Sequence, residues 1–96
     1  MNFLVVYDVE TVTREGQRRL RQVARACEGY GQRVQHSVFE VFSSRTKMAK
    51  LVVELEGIMD PRVDSIRVYP LDHDGFERAI ILGTRREIPF ESSWVL

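Results

Sequence analysis

Asp8 and Glu10 are the carboxylates whose placement most invites chemistry. Asp8 closes the run FLVVYD, in which Phe3 to Tyr7 are five apolar residues in succession. A buried strand that finishes on a charge needs a partner for it. The side chain either accepts hydrogen bonds from the following loop or holds a cation. Glu10, of the same parity, either joins Asp8 as a second ligand or is a solvated loop residue. Mg2+ keeps several waters and takes one or two carboxylates plus phosphate oxygens. A two-fold axis near the strand end would let two Asp8 side chains supply both carboxylates. The ion (Mg2+, or Mn2+ in its place) would relieve their repulsion. It would also lower the pKa of a water and neutralise a phosphodiester under in-line attack. Asp8 is thus the catalytic and the metal-binding candidate.

Arginines form the second constellation. Twelve of the fourteen basic residues are arginine, whose planar fork matches phosphate oxygens two at a time. Arg14, Arg18, Arg21 and Arg25 recur at i, i+4, i+7 and i+11, one stripe of a helix with only Glu15 and Glu28 near it. Charge stripes are commonly solvated faces, but four arginines in register without carboxylate partners point to phosphate contact. Arg33 and Arg85–Arg86 extend that surface. Contacts of this kind carry no base specificity.

Other groups fit worse. Ser37 has no His–Asp arrangement to activate it, and His36, His73 and the single Cys27 do not make a zinc spacing. Cys27 falls on a helix core stripe. Asp72-His73-Asp74-Gly75 reads as a hairpin turn rather than a calcium loop, for want of the later ligands. Phe39, Tyr69 and Trp94 could stack on bases, with core packing the better reading for Phe39. There is no phosphate-cradling glycine loop, and RVQHSVFEVF lacks the consensus of the RNA-recognition motif.

The elements that must position these groups follow from periodicity. Residues 3–9 read as a central strand, apolar on both faces. Thr13 caps a helix from Arg14 with Leu20, Val23, Ala24 and Cys27 on one face, and EGYG (28–31) offers glycines for a left-handed cap. Residues 33–42 are one bent strand or a short hairpin. Ser43 or Ser44 starts a second helix, where Met48, Leu51, Val52 and Leu55 repeat the spacing, and Gly57 ends it. DSIRVYP (64–70) alternates with Ile66 and Val68 inward, and RAIILG (78–83) reads as another apolar strand. The order predicts a ferredoxin-like βαββαβ sandwich, an antiparallel sheet with two helices on one face. Trp94, Val95 and Leu96 are too apolar for water. Residues 84–96 therefore read as an extension beyond a core of residues 1–83, its strand adding to a sheet edge, its own or a partner subunit's.

Ninety-six residues suit one domain, burying about 60–65% of its extended-chain surface. The net charge of zero hides an asymmetry. Residues 1–48 carry eight Arg/Lys against five Asp/Glu, and residues 49–96 carry six against nine. No run approaches a membrane span and no secretory signal opens the chain, so a cytoplasmic protein is expected.

Together VVYDV (5–9), RRLRQVARACEGYG (18–31), RVQHSVFEV (33–41) and DSIRVYPL (64–71) with its following apolar segment resemble the small CRISPR-associated proteins of family two. YDV followed at this distance by GQRVQHSVFE is the specific part. The resemblance implies a ferredoxin-like homodimer whose C-terminal strand joins the partner's sheet, with a divalent metal at Asp8. It places the family's helix arginines on Arg18 and Arg19, its basic strand residue on Arg33, and its Ser and Phe on Ser37 and Phe39. It also implies spacer acquisition for CRISPR antiviral defence, the dimer bridging the CRISPR integrase and holding DNA. Some members are metal-dependent endonucleases, hydrolases acting on RNA or duplex DNA. Three activities stay open: a DNA-holding adaptor, a nuclease, and an RNA-cleaving toxin-like ribonuclease of the same fold. The adaptor ranks first, since one carboxylate per chain comes without an evident general base or leaving-group acid. A small-ligand regulatory module would show no nucleic-acid affinity.

Overall fold

Alternation of side chains along the first strand decides how the protein is layered. In the computed structural model, which describes residues 1–83, β1 (Asn2–Asp8) turns Phe3, Val5 and Tyr7 into the core, with Val9 following just beyond the strand. Leu4 and Val6 lie half-buried on the opposite face. The run is therefore apolar on both sides but covered by helices on one only, a correction to the doubly buried strand expected from composition. Asp8 shares the open face with Leu4 and Val6, as period two requires.

Helix α1 (Arg14–Glu28) starts where the Thr13 side chain accepts from the Gly16 amide at 3.0 Å. It buries Val23, Ala24 and Cys27, with Leu20 packed at the rim. Gly29 closes it in the right-handed region at φ −71, not with the left-handed cap the glycines suggested. Gly31 has a different use: a Cβ there would run into the Glu40 carbonyl, so glycine provides clearance between β2 and β3.

Residues 32–42 form a hairpin, β2 (Gln32–Gln35) and β3 (Val38–Phe42), with a register shift between Arg33 and Gln35. Ser44 caps α2 (Arg45–Ile58) by accepting from the Lys47 amide at 3.1 Å. Met48, Leu51 and Leu55 are its buried stripe, while Val52 is exposed. Gly57 lies inside the last turn and Met59 is the cap, so Gly57 does not end this helix. β4 (Ser65–Leu71) turns Ile66 and Val68 toward the core and leaves Arg67 and Tyr69 exposed.

The strands pair antiparallel in the order β2-β3-β1-β4, the ferredoxin-like arrangement. Phe39, Leu51, Val5, Val23, Val41 and Cys27 are fully buried between sheet and helices. Each large aliphatic residue there contributes about 1.5–3 kcal/mol of burial. Residues 78–83 are not a strand: Ile80 and Leu82 are 89% and 88% exposed. Apolar content alone does not make a strand, which also needs backbone pairing, and residues 78–83 pair with no strand of the sheet among the described residues. LDHDG does turn, with the Gly75 amide donating to the Asp72 carbonyl at 2.9 Å, but among the described residues no strand returns from it. The buried Asn2 side chain holds that turn by donating to the Asp72 and His73 carbonyls. Trp94, Arg85, Arg86 and the expected C-terminal strand lie outside the described residues. No described helix is long and apolar enough to cross a membrane.

Candidate nucleic-acid and metal site

Asp8 stands opposite Ser65 at the last β1–β4 pair, exposed on the open face of the sheet. Among the described residues its carboxylate accepts no hydrogen bond, so it is not the loop-capping aspartate of the simpler reading. Other carboxylates satisfy the loop instead. Glu10 Oε1 accepts from the amides of Val12 at 2.6 Å and Thr13 at 3.1 Å. Glu10 is thus committed to its own turn and leaves Asp8 as the free acid. No group of three or more potential metal ligands occurs among the described residues. At this strand end Asp8 has no hydrogen bond or ion pair among the described residues, and such a carboxylate is the kind of donor Mg2+ takes beside its waters and phosphate oxygens.

Behind Asp8 lies a residue that sequence reading missed. The Asp64 side chain is 0% exposed. Its Oδ1 accepts from the Glu10 amide at 3.0 Å, and Oδ2 accepts from the Asp60 amide at 2.9 Å. Arg19 donates to both oxygens, Nε to Oδ2 at 2.8 Å and Nη2 to Oδ1 at 3.4 Å. Burial pushes the Asp64 carboxyl upward. The Arg19 hydrogen bond and the Asp60 and Glu10 amides outweigh it and hold the group below the ordinary range. The available signal was a lone acid directly before the alternating strand, four residues after Asp60. Nothing local pointed to Arg19, 45 residues away.

Arg14, Arg18 and Arg21 line the exposed side of α1, and none enters an ion pair among the described residues. Arg25 is exposed on the same stripe. Arg19 and Arg33 depart from the phosphate-contact reading. Arg19 turns to Asp64. Arg33 is buried, its Cζ 5.4 Å from the Phe39 ring centroid and its Nη2 3.4 Å from the Tyr7 hydroxyl. Phe39 is fully buried and stacks on Tyr7 at 6.1 Å, which removes it as a platform for bases in the protomer. Ser37 sits in the β2–β3 turn, its carbonyl accepting from the Tyr7 amide at 3.0 Å. Structure thus brings Glu10 and Arg19 to Asp64, beside the β4 residue paired with Asp8, and sets Arg33, Ser37 and Phe39 apart as a support beneath Tyr7.

Residues 1–79 match the model of the family described as CRISPR associated protein Cas2. The chain belongs to the Cas2 family. It is 45% identical over 93 residues to a CRISPR-associated endoribonuclease Cas2 of Rhodospirillum rubrum, covering 97% of this chain and 98% of that one. It is 41% identical to a CRISPR-associated endonuclease Cas2 of Halalkalibacterium halodurans over 95% of each. The crystal structure of Streptococcus pyogenes Cas2 at pH 6.5 superposes with a TM-score of 0.78 at 44% identity, covering 86% of this chain and all of that one. This Cas2 family fold is the ferredoxin-like sandwich expected from the order of elements.

Proposed function

We propose that this protein is the homodimeric nucleic-acid-binding subunit of CRISPR spacer acquisition, a cytoplasmic adaptor that holds DNA and bridges the integrase. The observation that carries the reading is the row of exposed arginines, Arg14, Arg18 and Arg21, without ion pairs among the described residues, on a helix whose opposite side is packed into the core. Such a row meets a phosphate backbone without reading bases. The open sheet face supports the dimer: it carries half-buried Leu4 and Val6 with exposed Phe42 and Tyr69, an apolar surface that a second copy can cover. Replacing Arg14, Arg18 and Arg21 together by Glu should weaken duplex binding and flatten its dependence on salt. Unchanged affinity would return the stripe to a solvated face.

The second reading, a Mg2+-dependent endonuclease on RNA or DNA, rests on the exposed Asp8, without a partner among the described residues, and on the names of the relatives. Two Asp8 carboxylates from facing subunits would hold the ion. When bound, the ion supplies an activated water and neutralises charge on the scissile phosphate. Asp8 keeps that position because β1 is paired on both sides. Asp8→Asn separates the readings. Loss of Mg2+-dependent cleavage with duplex binding retained is expected for a nuclease, and cleavage that persists unchanged would remove the metal site.

A further inference from the structure

Asp64 joins three segments of chain that carry the proposed site. Its Oδ1 holds the Glu10 amide, two residues beyond Asp8, and its Oδ2 holds the Asp60 amide at the turn before β4. Arg19 grips both oxygens from α1. The neighbouring Ser65 is the β4 residue paired with Asp8 itself. The carboxylate therefore fixes the backbone just beyond Asp8 and, across the sheet, just before the β4 residue paired with it, and ties that corner to the helix that presents the arginine row. A side chain with 0% exposure touches neither metal nor nucleic acid. Arg19, at 16% side-chain exposure, has its Nε and one terminal nitrogen occupied by Asp64.

We infer that Asp64 is a positioning residue, which through Arg19 and the Glu10 amide sets the Asp8 carboxylate and the α1 arginines in one frame. The inference rests on the strand-end site of the proposed function. It assigns Arg19 to the frame rather than to phosphate contact, unlike its neighbours Arg18 and Arg21. Residues that orient a metal ligand from behind characteristically change metal affinity about 10–100-fold when replaced. A direct phosphate contact instead shows in the salt dependence, each one lost lowering the slope by about 1.

The test uses the full-length protein with Asp64→Asn, Arg19→Met and Arg18→Met. Mn2+ affinity is read by electron paramagnetic resonance, and duplex-DNA affinity is read across a salt series. Arg18→Met sets the size of a phosphate-contact loss. Asp64→Asn and Arg19→Met are expected to weaken Mn2+ binding about tenfold and to weaken duplex binding at an unaltered salt slope. An Arg19→Met slope reduced as much as that of Arg18→Met, or Mn2+ and duplex affinities equal to wild type in both frame variants, would overturn the inference. Should Asp64→Asn not fold, Arg19→Met alone decides. Wild-type protein that binds no Mn2+, or Asp8→Asn that binds it fully, would defeat the metal reading instead. The frame is then judged on duplex affinity: a loss at constant slope supports it, and no loss overturns it.

Discussion

The guanidinium of Arg33 lies over the ring of Phe39, 5.4 Å from its centroid, and its Nε has no hydrogen-bond partner among the described residues. One nitrogen reaches the Tyr7 hydroxyl at 3.4 Å, a long hydrogen bond. The same hydroxyl donates to the His36 carbonyl at 3.0 Å. A buried cation with an unsatisfied donor is costly, while an unbranched apolar side chain of similar length would keep the packing. Arg33→Met is expected to unfold within about 1 kcal/mol of wild type or above it. Arg33→Ala, which removes the stem over Phe39 as well, is expected to lose about 2 kcal/mol or more. Urea titration of both variants checks this, and equal losses would show that the charge itself stabilises the core.

Gly16 carries a second prediction because it opposes local propensity. Alanine in a helix interior is favoured over glycine by about 1 kcal/mol. Here a Cβ would press into the Glu10 carbonyl and come within 2.9 Å of Glu10 Oε1. Gly16→Ala is therefore expected to be destabilising by about 1–3 kcal/mol, the cost of overpacking. A rise in melting temperature would show that the β1–α1 loop can move aside.

Cys27 is fully buried on α1, and burial pushes its thiol up to about 12, with Arg33 opposing only in part. The thiolate is the reacting species. At pH 8 native protein is expected to resist a thiol-reactive disulfide reagent and to label fully in denaturant. Prompt native labelling would mean that the helix layer opens at Cys27.

Asp64 predicts the acid limb of stability. Its folded pKa lies below the ordinary 3.8, so the unfolded state binds the proton more readily. The stabilisation is complete above about pH 4 and is lost as pH falls through the folded value. Wild-type urea midpoints are expected to hold from pH 7 to 5 and to fall below 4. Asp64→Asn is expected to start about 2 kcal/mol lower at pH 7, the worth of a charged hydrogen bond, and to fall less steeply. Parallel acid limbs would exclude Asp64 as the titrating group.

Regular elements were legible because their causes are local. Val23, Ala24 and Cys27 fall on one side of α1 by spacing alone, Thr13 and Ser44 cap as their types suggest, and Ile66 and Val68 alternate inward. Sequence reading also reached the exposed side of the arginine row and the place of Asp8 at the end of β1, since both depend on period and on chain order. It overreached at residues 78–83, where apolar composition stood in for a pairing partner, at Gly29, where glycine suggested a left-handed cap, and at Gly57, where glycine suggested the helix end.

The pairing of residues far apart was decided by the tertiary structure. Arg18 and Arg19 are adjacent and chemically identical, yet a helix turns them about 100° apart. One faces solvent, while the other meets an acid that returns 45 residues later. Arg33 resembles a surface cation until the hairpin folds it over Phe39. A strand's period states which residues share a face with Asp8. Only the packing of two helices on the opposite face leaves that carboxylate in the open, because burial is a property of the layers around a chain and not of the chain itself.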